Sequence, residues 1–111
     1  MPTIPADRLK TLSETIFQGA GVSAAEAEIV SRHLVDANLA GHDSHGVLRV
    51  ITYCDRVEKG HIIPGAEIEI EKETPTTLVV NGTWGFGFTV TETINKKLIE
   101  KAKTQQVAVG T

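Results

Sequence analysis

GHDSHGVLRV, residues 41–50, is the stretch on which the reading of this chain turns. It gathers two histidines, an aspartate, a serine and an arginine where one helical pattern stops and another starts. Upstream, Val30, Leu34 and Ala37 fall on one side of a helix that Gly41 ends. That helix opens with SAAE, Ser23 to Glu26, a capping-box pattern in which each side chain satisfies the other's free backbone N–H. Before it, Leu9, Leu12, Ile16 and Ala20 make a first stripe, opened by Pro5 and closed by Gly19 or Gly21. Downstream, a third helix is expected from Asp43 or Ser44, burying Val47, Val50, Ile51, Cys54 and Val57 and stopping at Gly60.

After Pro64 the texture changes. AEIEIEKE alternates apolar and acidic residues, the mark of a half-exposed strand, and TTLVVNG reads as a second short strand ending in a turn. From about Gly87 a helical pattern returns, with Val90, Ile94, Leu98 and Ala102 four residues apart. VAVGT then reads as the start of a buried strand. The expected fold is mixed α/β: an N-terminal three-helix region, residues 1–62, then the strands and helix of an incomplete α/β domain, residues 63–111. An apolar last strand with nothing after it to cover it suggests the N-terminal piece of a longer protein, or a strand that pairs with a partner chain.

Composition narrows the function. The 111 residues suit one small domain, 41% hydrophobic and 23% charged, with a formal charge of −3. No basic block or basic aromatic stripe is present, which argues against nucleic acid. No apolar run reaches membrane-spanning length, and MPTIPADRLK lacks the charged start and apolar stretch of a secretion signal. Cys54 is the single cysteine, so neither an internal disulfide nor a cysteine-based zinc site can form. A cytoplasmic protein fits these features.

The chemistry-bearing residues return to the corner. With Ser44 as N-cap, His45 takes the first helical position, and Arg49, Tyr53 and Arg56 follow at helical spacing opposite the apolar stripe. A histidine moves a proton near neutral pH, and an arginine grips a carboxylate through parallel hydrogen bonds. A helix N-terminus adds partial positive charge. Together they suit a small carboxylic acid whose neighbouring oxygen gains or loses a proton. The plainer reading stays open: Asp43 and Ser44 are ordinary caps, and the polar face meets water. A metal reading of His42, Asp43 and His45 lacks a second ligand pair to close the site. His33 reads as a satisfied, partly buried histidine and His61 as a loop residue. GTWGFG, residues 82–87, follows a strand and precedes a helix, but its spacing is G-x-x-G-x-G and no lysine follows. It is neither a dinucleotide fingerprint nor a P-loop, and reads as a tight turn under Trp84.

The pattern G-x-x-SHG-x-x-R-x-x-x-Y, here Gly41, Ser44-His45-Gly46, Arg49 and Tyr53, resembles the malate/L-lactate dehydrogenase family that lacks a Rossmann fold. Ureidoglycolate, sulfolactate and diketogulonate oxidoreductases look like relatives. Gly60 at the end of the third helix, the NG-x-x-G-x-G turn and the helix after it extend the resemblance over nearly the whole chain. It implies an oxidoreductase that uses NAD(H) or NADP(H) to interconvert 2-hydroxy and 2-oxo acids, or related imines. It implies that His45 is the proton donor and acceptor, that Ser44 orients it, and that Arg49, with Tyr53 beside it, binds the substrate carboxylate. It also implies a homodimer, and cofactor contacts mostly outside these residues, so that the 111-residue chain alone is expected to be inactive. The rival reading is a non-catalytic α+β interaction module whose exposed edge pairs with another chain.

Overall fold

The computed structural model describes residues 2–111, and its elements follow the expected order of helix, helix, helix, strand, strand, helix, strand. The chain divides after Gly65 into two compact units.

The first unit is helical. α1 (Ala6–Gly19) packs along α2 (Ala24–Leu39), and α3 (Arg49–Glu58) touches α1. Its core is Phe17, Val22, Ala27, Val30, Leu34, Val35 and Val50. The buried side of α1 is not the Leu9–Leu12–Ile16 stripe. Leu12 and Ile16 are exposed, and Ser13 and Phe17 face inward instead. Ser13 can occupy this position because its hydroxyl bonds back to Leu9 O at 2.9 Å, which satisfies the buried polar group. Phe17 then supplies the large apolar area that the helix buries.

α2 starts as the sequence predicts on one side only. Ser23 is the N-cap and its hydroxyl accepts from Glu26 N–H at 3.3 Å. The reciprocal half of the capping box is absent, because the buried Glu26 carboxylate accepts from Gly65 N–H at 2.9 Å. A distant loop amide has taken the place of the cap amide, and this fixes the end of the unit to the first turn of α2. Gly41 closes α2 at φ +83°, a left-handed conformation open to glycine at little cost.

The third helix begins later than the sequence suggests. Asp43–His45 form a short 3-10 turn, and the α-helix proper runs from Arg49 with Leu48 at its cap position and no side-chain cap. Ser44 is therefore not the helix N-cap. Within α3, Val50 is buried, Val47, Cys54 and Val57 are half-buried, and Ile51 is 80% exposed. Val50, Cys54 and Val57 keep the inward face, and Ile51, about 100° round the helix from Val50, lies outside it.

The second unit, Ala66–Thr111, is a β-β-α-β arrangement. β1 (Glu69–Glu73) pairs antiparallel with β2 (Thr77–Asn81), with a bulge between Ile70 and Lys72. α4 (Gly87–Gln105) crosses back and delivers β3 (Val109–Gly110) parallel to β2, in the sheet order β1-β2-β3. Thr111 N–H donates to Leu78 O at 2.9 Å, and Val80 N–H to Thr111 O at 2.8 Å, extending the parallel pairing. Leu78 and Phe86 are buried here, and α4 packs on β2 and β3 with Val90, Ile94, Leu98 and Ala102 half-buried. Two expectations change. β1 is exposed on both faces rather than one, and Val109 is exposed rather than buried. A three-stranded sheet with one helix against it covers only the strands beneath that helix. Lys101 ties the hairpin to α4, its ammonium bonding Thr74 O and the Glu73 carboxylate, each at 2.8 Å.

Candidate active site

The corner between α2 and α3 is a run of tight turns. His45 N–H donates to His42 O at 2.9 Å, Gly46 N–H to Asp43 O at 3.1 Å, Arg49 N–H to Gly46 O at 3.0 Å and Val50 N–H to Val47 O at 3.0 Å. Each spans three residues, the 3-10 pattern, so the chain is wound more tightly here than in an α-helix. His45 and Arg49 are brought together by this turn and not by one turn of a continuous α-helix.

Ser44 links them. Its hydroxyl lies 2.9 Å from His45 Nδ1, and its backbone carbonyl accepts from Arg49 Nε at 2.8 Å. One residue thus holds the imidazole through its side chain and the guanidinium through its main chain. The Nε2 edge of His45 has no partner among the described residues, and neither do the two terminal nitrogens of Arg49. His45 is exposed and Arg49 half-buried. Tyr53 stands one turn further along α3, half-buried, and Arg56 beyond it is exposed. An imidazole nitrogen can pass a proton and a guanidinium fork can take a carboxylate, and here Ser44 ties the two groups into one corner.

Asn38 completes the corner and is not singled out by the sequence patterns. From the last turn of α2 its amide donates to Asp43 Oδ1 at 2.8 Å, and its carbonyl oxygen accepts from Val47 N–H at 2.8 Å. The one available signal was an asparagine, a weak helix former, in a helix interior three residues before Gly41. Among the described residues no three His, Cys, Asp or Glu side chains gather around a possible metal position. His33 is half-buried in α2 and His61 is exposed after α3.

The turn at residues 82–87 is shaped by the packing of α4 on the sheet. A Cβ on Gly82 would lie 2.9 Å from Val90 Cγ2, so this glycine serves the approach of α4 to the sheet. Thr83 and Trp84 both have positive φ, +48° and +68°. Thr83 is held there by its N–H on Asn81 Oδ1 at 2.9 Å and its hydroxyl on Glu67 O. A concavity of about 540 Å³ opens beside the turn, lined from Asn81 to Thr91 by uncharged residues only. Trp84 projects into solvent, 78% exposed, rather than packing over the turn. No described residue here offers a cation to a pyrophosphate.

A helical unit carrying a Ser–His–Arg corner, followed by a β-β-α-β unit, defines a mixed α/β protein outside the Rossmann class. The chain belongs to the malate/L-lactate dehydrogenase family, which it matches over residues 4–111. It is 36% identical over 106 residues to the malate/(S)-sulfolactate dehydrogenase of Methanothermus fervidus, covering 96% of this chain and 31% of that one. Hydroxycarboxylate dehydrogenase B of Escherichia coli O157:H7 is 32% identical over 103 residues, 93% of this chain and 28% of the relative. The solved structure of malate dehydrogenase from Pyrococcus horikoshii OT3 superposes with a TM-score of 0.89 at 33% identity, over 92% of this chain and 29% of that one. The chain therefore spans between 28% and 31% of the length of these relatives. No helix among the described residues is long and apolar enough to cross a membrane.

Proposed function

We propose that the protein is an oxidoreductase that interconverts a small 2-hydroxy acid and its 2-oxo counterpart, with His45 as the acid–base group and NAD or NADP as the hydride partner. The observation that carries this is the Ser44 hub, which holds His45 and Arg49 while leaving the working edge of each without a partner among the described residues. Family membership supports it, since the relatives above are dehydrogenases of malate, sulfolactate and hydroxycarboxylates by name. The reading as a non-catalytic interaction module has no such support.

A bound nicotinamide would supply the hydride donor or acceptor for substrate C2. The residues of this chain do the remaining work. The terminal nitrogens of Arg49 grip the carboxylate in two parallel bonds, which fixes the acid in direction as well as place. His45 Nε2 then gives a proton to the 2-oxo oxygen in reduction and takes it from the 2-hydroxyl in oxidation. The Ser44 hydroxyl on Nδ1 holds the ring's orientation, and since a hydroxyl both donates and accepts, it can stay bonded as the ring gains and loses its proton. Tyr53, one turn on from Arg49, lies on the substrate side. The protein works as a cytoplasmic homodimer in this account. Residues 1–111 alone are expected to bind the cofactor weakly or not at all, since the turn at 82–87 has neither the dinucleotide nor the P-loop spacing.

The test is a panel on the full-length protein: malate, lactate and sulfolactate with NAD and NADP, and the matching 2-oxo acids with the reduced cofactors. Turnover of at least one acid supports the proposal. A full-length, folded protein that turns over none of them with either cofactor overturns it.

A further inference from the structure

Asn38 touches the corner at three points. Its backbone carbonyl accepts from Gly41 N–H at 3.0 Å, its side-chain oxygen accepts from Val47 N–H at 2.8 Å, and its amide nitrogen donates to Asp43 Oδ1 at 2.8 Å. Between the two side-chain anchors lie Ser44, His45 and Gly46. Only one orientation of the carboxamide satisfies both, with oxygen toward the amide and nitrogen toward the carboxylate. Gly46 makes room for it. A Cβ there would fall 2.2 Å from Asn38 Oδ1 and 2.3 Å from its Cγ, so the missing side chain of Gly46 is the space that the carboxamide fills.

From this we infer that Asn38 is a positioning residue for the reaction. It pins both ends of the turn, and so sets the direction in which Ser44 presents its hydroxyl to His45 and its carbonyl to Arg49. The inference rests on the role of His45 proposed above. The bond pattern demands an amide at this position. Alanine supplies neither bond. Aspartate keeps the acceptor for Val47 N–H but turns a carboxylate toward the Asp43 carboxylate, so one bond becomes a repulsion. Exchanging the two groups, with Asn38→Asp and Asp43→Asn together, restores a donor facing an acceptor and leaves the Val47 bond in place.

The experiment compares Asn38→Ala, Asn38→Asp and Asn38→Asp/Asp43→Asn in the intact protein by three readouts. Ring ¹⁵N NMR of His45, assigned with a His45→Gln variant, reports the imidazole's tautomer and hydrogen bonding without any turnover. Steady-state kinetics use the acid and cofactor that the panel identifies. Thermal unfolding is measured in parallel. Displacing a reacting group by about an ångström costs up to about 100-fold, so Asn38→Ala and Asn38→Asp are expected to lower kcat by about 10–100-fold. Both are expected to shift the His45 ring resonances, and the double exchange to return both signals most of the way. A lowered Tm with unchanged His45 resonances and unchanged kcat overturns the inference and leaves Asn38 a purely structural clasp. No return in the double exchange also overturns it. Should the His45 resonances move with Asn38 while His45→Gln keeps full kcat, the positioning holds and the acid–base reading of His45 is what fails.

Discussion

Replacing Gly46 with alanine measures how tightly the corner is built. The added Cβ would sit 2.2 Å from Asn38 Oδ1, 2.3 Å from Cγ and 2.5 Å from Nδ2. Carbon atoms settle about 3.5–4.0 Å from their neighbours, so the carboxamide must withdraw by roughly an ångström or more. Asn38 is short and already tied at both ends, and it cannot withdraw and keep its bonds. The bond from Val47 N–H is worth about 0.5–1.5 kcal/mol, and the bond to the Asp43 carboxylate about 1.5–3 kcal/mol. The Asp43 end faces solvent, which holds the expected loss to about 2 kcal/mol overall. The clash disappears if the carboxamide is removed first. In an Asn38→Ala background the Gly46 methyl enters vacated space, and its cost should shrink by about 1–2 kcal/mol, the range of coupling between contacting residues. Urea unfolding of the four members of the cycle, followed by far-ultraviolet circular dichroism, gives the number directly. Equal costs for Gly46→Ala in both backgrounds would refute the claim that Gly46 is glycine because of Asn38.

Three further outcomes concern Arg49, the Lys10–Glu28 pair and Cys54. Arg49→Lys keeps the charge but loses the planar fork and its bond to Ser44 O, so KM for the acid should rise and kcat fall, with cofactor affinity unchanged; Arg49→Ala should do both more severely in steady-state assays. The bond to Lys10 at 2.9 Å holds the Glu28 carboxyl below its ordinary 4.5, so the pair's small contribution is fully present above 4.5 and lost below it, as pH falls through the lowered value. Lys10→Met should accordingly remove part of the acid sensitivity seen in unfolding midpoints taken from neutral to acid pH. Burial pushes the Cys54 thiol above its ordinary 9.0, so an aromatic disulfide reagent should modify it slowly at neutral pH and quickly only above that value.

The parts of the fold legible in the sequence were those set by local rules. Ser23 capped α2 as its type and spacing suggested, Gly41 closed that helix, and the four-residue repeat from Val90 to Ala102 marked the inner face of α4. Where tertiary contacts competed, the local reading failed. Glu26 looked like half of a capping box, but its carboxylate went to Gly65, thirty-nine positions away, which no local pattern encodes. Leu12 and Ile16 formed a convincing apolar stripe on α1, yet Phe17 with Ser13 beside it outweighed them for the core. Ser44 had the chemistry of an N-cap, but the 3-10 turn moved the helix start to Arg49 and turned Ser44 into a bridge between His45 and Arg49. The residues of the candidate site were visible as a motif. The clasp that shapes them was not, because Asn38 belongs to the preceding helix and becomes relevant only once the chain turns back upon it.

The most direct test of the account is the pH dependence of kcat for His45→Ala in the full-length enzyme, beside a cofactor titration of the same variant. General acid–base catalysis contributes about 10²–10⁴-fold, so kcat should fall by that order across neutral pH. Cofactor affinity should stay at the wild-type level, because the proposal places His45 at the substrate oxygen and not at the nucleotide. A His45→Ala enzyme that keeps near-normal kcat across the pH range would contradict the assignment of the proton to His45, and with it the function proposed for this corner.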